Sequence, residues 1–394
     1  MSAAMPALGA AIRHEWALDP DFLTVNHGSY GATPKTVLAV QDEWRRRMEA
    51  QPTRFMARVL PGALRDAAAK LSRFIGATGE DVVFVENATA GCNAVLRSFS
   101  LVPGDEILVL SHVYNAVRNI VRHVAARTGA VVTVAEIPFP RPDGWRIIEN
   151  LAHAFSPRTR VAVLDHITSG SGLVLPLAQM IATCHAAGIC VVVDGAHGPG
   201  QVTLDLPALG ADWYIGNCHK WLMAPKGAAF LYARPDRQKD LHPGTISHGY
   251  GAGFRAEFDW TGTFDPSAYL AVPAAISFHQ RLGGTQLQAR NTALAAEAAA
   301  LLARRLHTEI GAAPDMAGAM GLVRLPLRGP ADAARALDFR QRLLDAGTDA
   351  PVSALGDAAW LRVSAQAYNE FSDYEKLSSI VTAALADDSS SPPR

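Results

Sequence analysis

The spacing of apolar positions changes character near residue 82. Before it, Val37, Val40, Trp44 and Met48 recur every three or four residues, which predicts a helix opened by Thr33 as N-cap with Pro34 at the first helical position and closed by Pro52. Leu64, Ala68, Leu71 and Ile75 mark a second helix from about Pro61 to Ile75. From residue 82 onward, short apolar runs predict strands at Val82–Val85, Glu106–Leu110, Val131–Val134, Val161–Leu164, Ile189–Val193, Trp213–Ile215 and Ala228–Tyr232. Helical patterns such as Ala116–Arg127 and Leu177–Ala187 fall between most of them. Continuous apolar strands alternating with helices imply an α/β fold with a mostly parallel seven-stranded sheet covered on both faces. A Gly- and His-rich segment, His242 to Gly262, has no clear period, and long irregular segments inside compact domains are usually functional or interface-forming.

Helices are then expected at Ala268–Leu282 and Thr292–Leu306, followed by strand, helix and strand at Val323–Leu327, Phe339–Ala346 and Trp360–Ser364. These divide the chain into an N-terminal arm (1–32), a large domain (33–265), a connecting helix with a smaller α+β C-terminal domain (266–386), and a disordered tail (387–394). At 394 residues the chain is too long for one core, which agrees with two domains.

Composition narrows the chemistry. Apolar residues make up 49% and charged residues 19%, and 36 Lys+Arg against 37 Asp+Glu leave no basic excess for a phosphate backbone, so nucleic acid is not an expected partner. No stretch approaches the roughly 20 apolar residues that span a bilayer, and the start lacks a secretory pattern, so a cytoplasmic protein is expected. The four cysteines, Cys92, Cys184, Cys190 and Cys218, form no C-x-x-C pair and read as reduced residues in or near the core, with no metal site.

In parallel α/β sheets the active site lies beyond the carboxyl ends of the strands, so the residues there carry the argument. Asp194 ends the run Ile189–Val193 and is followed by Gly195; alone it could be a ligand, a cap or a turn former. Lys220 follows another strand and sits among Trp221, Leu222 and Met223, where desolvation would depress its pKa and make a nucleophile. After Val85, a small-residue turn leads into a helix whose first N–H groups, with the Thr89 hydroxyl, form an anion cradle, or else an ordinary capped helix. Neither a Walker loop nor a G-x-G-x-x-G after a strand is present, which leaves a nicotinamide-dependent oxidoreductase without its phosphate fingerprint. A carboxylate, a lysine and a phosphate cradle on neighbouring strand ends are the three parts that pyridoxal 5′-phosphate needs: an amine for its aldehyde, an acid partner for its ring nitrogen, and donors for its phosphate.

The motifs NHGSYG (26–31), ENATAG (86–91), SHVYNAVRN (111–119), DHITSGSG (165–172), VVVDGAHGPG (191–200), GNCHKWL (216–222), TGTFDP (261–266) and LRVSAQAYNE (361–370) occur in order over most of residues 22 to 380. Together they resemble the class V aminotransferase family of fold-type I pyridoxal phosphate enzymes, and within it the isopenicillin N epimerase-like branch. The resemblance implies a homodimer with its active site at the interface and a small amino-acid substrate. It implies that Lys220 is the Schiff-base lysine and general acid/base, that Asp194 pairs with the pyridine nitrogen, and that His197 lies beside the phenolic oxygen. Ala88, Thr89 and His219 would hold the phosphate, Tyr114 would stack on the ring, and Ser169 would lie near the cofactor's O3′. Thr263 would reach the phosphate of the partner subunit. Arg362 would bind the substrate carboxylate, a task that suits its planar fork, with Asn26 and His27 bordering the substrate. Two roles keep a plainer alternative, His197 as a turn cap and Tyr114 as core, and the role of His27 stays open.

Desulfuration through a persulfide needs a loop cysteine before the arginine-bearing strand, and residues 347–359 contain none. Epimerisation, transamination and β-elimination by a C–S lyase remain, and the branch favours an epimerase. Epimerisation needs a second acid, for which Tyr114 and His27 are the candidates. A non-catalytic relative of the fold is the alternative from another class, against which the Lys220/Asp194 pair speaks.

Overall fold

The computed structural model describes residues 6–329 and 331–390. Among them are twelve strands: β1 (Leu23–Thr24), β2 (Val82–Val85), β3 (Glu106–Leu110), β4 (Val131–Ala135), β5 (Thr159–Asp165), β6 (Cys190–Asp194), β7 (Trp213–Asn217), β8 (Ala229–Ala233), β9 (Met320–Arg324), β10 (Thr348–Asp349), β11 (Val352–Leu355) and β12 (Ala358–Ser364). β2 to β8 form one seven-stranded sheet in the order β2-β8-β7-β6-β5-β3-β4. Its parallel neighbours are joined by crossover helices, such as Asn115–Thr128 between β3 and β4 and Leu177–Ala186 between β5 and β6. β8 alone runs opposite, antiparallel to both β2 and β7. Antiparallel strands need no crossover, so the link from β7 to β8 is a short loop, and that loop carries Lys220 at the carboxyl edge of the sheet.

β2, β3, β7 and β8 are buried along their whole length, while the edge strand β4 leaves Val131 and Val134 half exposed. Helices on the two faces build two cores. One packs Leu64, Leu71 and Ile276 against Phe84 and Tyr214, and the other packs Val95, Val121 and Val124 against Val109 and Ile215. The small domain lays the helices Thr285–Leu306 and Phe371–Ser390 over the antiparallel sheet β11-β12-β9, with Leu302, Val323, Phe339 and Leu377 in its core. The two pieces thus match the expected large parallel-sheet domain and smaller α+β domain.

Local departures have local causes. Thr33 does not cap the first long helix: its hydroxyl donates to the Ala224 carbonyl at 3.0 Å, and Pro34 is the N-cap of Lys35–Ala50. The helix expected over 268–282 is two, Ser267–Leu270 and Val272–Arg281, because Pro273 sits in the first turn of the second. A helix at Gly144–His153 and the strand β11 were not foreseen. The arm is tied down rather than loose: β1 pairs in parallel with β10 of the small domain. The helix Phe371–Ser390 runs into the stretch expected to be a disordered tail, of which 391–394 lie outside the described residues. No helix among the described residues is long and apolar enough to cross a membrane.

Candidate active site

The loop from β7 to β8 is closed by its own backbone. The Cys218 and His219 N–H groups donate to the Ala228 carbonyl at 3.0 and 3.1 Å, Ala224 N–H to the Cys218 carbonyl at 3.0 Å, and Met223 N–H to the Lys220 carbonyl at 3.0 Å. Gly31 allows the arm to press against it: its φ is +70°, and a Cβ there would stand 2.0 Å from the His219 carbonyl oxygen. Lys220 projects into a cavity of about 150 Å³ at the carboxyl ends of the strands. Burial, reinforced by the Arg362 charge and offset by Asp194, brings its amine down to about 8. Nζ lies 3.2 Å from Nε2 of His197, whose ring is buried and held neutral, first by that burial and then by the Lys220 charge.

Two carboxylates face the same cavity. Asp194 ends β6 and Asp165 ends β5, and the two are register partners in neighbouring parallel strands. Asp194 Oδ1 accepts from the Ala196 N–H at 3.1 Å, whereas Asp165 Oδ2 is buried with no hydrogen-bond partner. Burial raises both, and Asp165 is raised well above the carboxylate range because the Asp194 charge adds to it. Of the two, Asp165 is therefore the carboxyl that more readily holds a proton.

The helix Ala88–Ser98 begins at the same edge. Asn87 caps it by accepting from the Ala90 N–H at 2.9 Å. The Ala88 N–H is already given to Asn217 Oδ1 at 2.8 Å, so Ala88 lines the cavity but does not offer the donor expected of it. Thr89 offers its N–H and hydroxyl instead. His219 gives its Nδ1–H to the Ala228 carbonyl at 3.1 Å, which leaves Nε2 as its free ring nitrogen, and burial lowers the ring to about 4.

Arg362 reaches the site from β12. It is 4% exposed, and its guanidinium donates to the Ser169 carbonyl, to Asn26 Oδ1 at 3.1 Å and to Ser29 Oγ at 3.0 Å, while its buried Nε has no partner. Burial, with the Arg340 charge, lowers it to about 10. A buried cation met only by neutral oxygens, with one donor unspent, has the chemistry to receive a carboxylate. Asn26 is itself held, donating to Asp349 Oδ2 at 2.6 Å.

Lys220, Asp194, His197, Thr89, His219, Ser169 and a half-exposed Tyr114 thus converge on one cavity. His27 does not line it. Its Nε2–H goes to the Lys220 carbonyl at 3.0 Å and its Nδ1 accepts from the Tyr368 hydroxyl at 2.9 Å, and burial lowers the ring to about 3. It clamps the lysine's backbone from behind and has no free nitrogen for a substrate. Thr263 is exposed just after the irregular segment, outside its own chain's cavity. Asp165, Ser29, Asn217 and Trp221 belong to the site without having been singled out from sequence. The signal for Asp165 was available, since it ends a strand as Asp194 does.

The residues fit pyridoxal 5′-phosphate: the unpaired Asp165 oxygen, a neutralisable Lys220 amine and the Thr89 donors line one cavity, and Arg362 stands behind its lining residues Ser29 and Ser169 with an unpaired Nε. Asp194 would face the ring nitrogen, Thr89 and His219 the phosphate, and Lys220 the aldehyde carbon. No group of three or more metal-ligating side chains occurs among the described residues. No thiol enters the site: burial first of all raises Cys92, Cys184, Cys190 and Cys218 above the usual thiol range.

Comparison with known proteins places the chain in a family. A family model described as aminotransferase class V matches residues 31–377. The chain is 35% identical over 389 residues to an isopenicillin N epimerase from Amycolatopsis lactamdurans, covering 93% of this chain and 96% of that protein. It is 33% identical over 399 residues to a probable chloroplastic L-cysteine desulfhydrase from Arabidopsis thaliana, covering 94% and 84%. A solved structure of the C–S lyase C-DES, a lysine-to-alanine variant with glycine covalently linked to its PLP cofactor, shares the fold with a TM-score of 0.80 at 22% identity over 94% of this chain and 98% of that one.

Proposed function

Because the chain belongs to the class V aminotransferase family, with pyridoxal 5′-phosphate as its cofactor, we propose that it removes the α-proton of a small L-amino acid with Lys220 and completes the reaction as a C–S lyase on a cysteine-type substrate. The observation that carries this is one base close to one cation: a Lys220 amine lowered to about 8 by burial and by the charge of Arg362, itself buried with an unpaired Nε. Bound there, the cofactor supplies an electron sink for the α-carbon. Arg362 orients the substrate carboxylate, Asp194 keeps the ring nitrogen protonated, and Lys220 takes the α-proton and returns it to the departing or product atom. β-Elimination needs only this one base. The relation to L-cysteine desulfhydrases supports it, and the absence of a cysteine from 347–359 speaks against a persulfide route.

A second reading, epimerisation, is favoured by Tyr114, which stands half exposed at the cavity as the remaining candidate for a second acid once His27 is seen to be sealed behind Lys220. The relation to isopenicillin N epimerases points the same way. We also propose a homodimer in which Thr263 reaches the partner's site. The irregular segment that precedes it exposes Ile246 and Tyr250, apolar surface of the kind an interface covers.

The test is a panel of L-amino acids incubated with the purified yellow protein in deuterated water. Pyruvate and sulfide from L-cysteine without added keto acid support the lyase. Inversion with α-deuteration and no net product moves the assignment to an epimerase, and keto-acid formation that needs an acceptor moves it to an aminotransferase. A colourless protein that binds no added cofactor, or borohydride labelling elsewhere than Lys220, overturns the whole reading.

A further inference from the structure

His197 stands between Trp221 and Lys220 and meets each through a different ring nitrogen. Trp221 Nε1 lies 3.1 Å from His197 Nδ1, and Lys220 Nζ lies 3.2 Å from His197 Nε2. An indole N–H can only donate, so Nδ1 is the bare, accepting nitrogen. In a neutral imidazole the hydrogen is then on Nε2, the nitrogen that faces the amine. The ring is buried at 2% exposure. An ammonium has three donors and no acceptor, so an Nε2–H pointing at it is repulsive, while a neutral amine accepts that hydrogen.

Trp221 is built to hold this orientation. It is 1% exposed and packs with Ile167, Ala319 and Met320. The His27 ring lies 5.3 Å from it, and a Cβ on Gly28 would come within 3.2 Å of its Cζ2. Phenylalanine could occupy most of that volume, but it could not donate. Without the indole hydrogen, His197 is free to take the other tautomer, whose bare Nε2 accepts from an ammonium and so favours the charged form of Lys220.

We infer that Trp221 is a positioning residue: it fixes His197 as the Nε2–H tautomer and thereby biases Lys220 toward the free amine that captures the cofactor's aldehyde. In that capture the Nζ lone pair forms the carbon–nitrogen bond, and the aldehyde oxygen leaves as water with the two amine hydrogens. An ammonium has no lone pair and must first lose a proton. The inference rests on the role proposed above for Lys220, and it assigns a function to the tryptophan that follows the lysine in the chain.

The experiment compares cofactor-free wild type, Trp221→Phe, His197→Gln and the double variant. Capture of pyridoxal 5′-phosphate at pH 7 is followed by growth of the yellow absorbance and by borohydride trapping, and histidine tautomers are read by ¹⁵N NMR. The Gln amide can donate to Nζ whatever stands at 221. We expect Trp221→Phe to slow capture on the order of tenfold, the equivalent of about one pKa unit at Lys220, and to shift the His197 signals away from the Nε2–H pattern seen in wild type. In the His197→Gln background the same change should cost no more than about twofold, the usual error of additivity. Equal slowing in both backgrounds means a packing role and overturns the inference, as does wild-type capture by Trp221→Phe or an Nδ1–H tautomer in wild type. If wild type itself captures no cofactor, the proposed function fails, while the tautomer spectrum of the same apoprotein still decides this inference.

Discussion

Replacing Lys220 by methionine is expected to stabilise the cofactor-free protein while abolishing its chemistry. The Lys220 amine falls from 10.5 to about 8 in the folded chain, chiefly through burial. At about 1.36 kcal/mol per unit, that depression is a folding penalty of up to about 3 kcal/mol. The direction follows from proton binding. Between pH 8 and 10.5 the unfolded chain binds more protons at this site than the folded one, so wild-type stability rises with pH through that window, and the penalty is fully present below it. Methionine keeps the length and apolar stem and removes the charge, at the loss of one hydrogen bond with His197 worth about 1 kcal/mol. The net expectation at pH 7 is a gain of about 2 kcal/mol. The advantage over wild type should shrink by about as much again by pH 10, where most of the wild-type penalty has gone. Thermal or denaturant melts of the two apoproteins at pH 7 and pH 10 measure it, with borohydride labelling as the control for lost capture. A methionine variant no more stable than wild type at pH 7, or an advantage that does not change with pH, refutes the claim that Lys220 is held under desolvation strain.

Other outcomes follow from neighbouring residues. Arg362→Lys keeps a charge but loses the fork, and the loss of one charge-assisted bond of about 1.5–3 kcal/mol should raise KM by about 10- to 100-fold with the cofactor spectrum unchanged; an unchanged KM places the carboxylate elsewhere. The two carboxylates should behave oppositely at neutral pH. Asp194→Asn should lower turnover by about 100-fold or more, as the loss of a proton-holding group does, whereas Asp165→Asn, at the carboxyl whose ionisation burial and the Asp194 charge both oppose, should leave cofactor affinity near wild type in an equilibrium titration. Gly31→Ala forces a side chain into a φ of +70° and onto the His219 carbonyl. Backbone strain of about 1–2 kcal/mol is the minimum cost, seen as a lower melting temperature and fewer cofactors bound per chain.

The sheet was legible where burial is total. β2 and β3 fall on their expected bounds, because strands covered on both faces read as nearly continuous apolar runs, Val82–Val85 and Ile107–Leu110. The helix Gly144–His153 was hidden behind the Pro- and Gly-bearing segment before it, although Ile147 and Leu151 are spaced to face the core. At the site, residues beside strand ends could be found by position: Asp194, Lys220 and Thr89 follow directly from where a parallel sheet delivers its side chains. His27 could not. Its place is set by Tyr368, 341 positions away, and by the carbonyl of Lys220, neither of which leaves a trace in local spacing. The same holds for Ala88, whose N–H is claimed by an asparagine 129 positions later.

The arm pairs with β10, sets Trp16 edge-on to Tyr368 with ring centres 5.1 Å apart, and sends His27 to the back of Lys220. Residues 9–31 leave the ribosome well before residues 347–373, where several of their partners lie. During synthesis the central sheet can assemble as soon as residue 233 has emerged, but the arm that clamps the lysine loop is not itself tied down until the strands and helix of the small domain have followed. Readiness for the cofactor is thereby coupled to synthesis of the small domain, so a product that stops after the large sheet still lacks the brace behind its reactive amine.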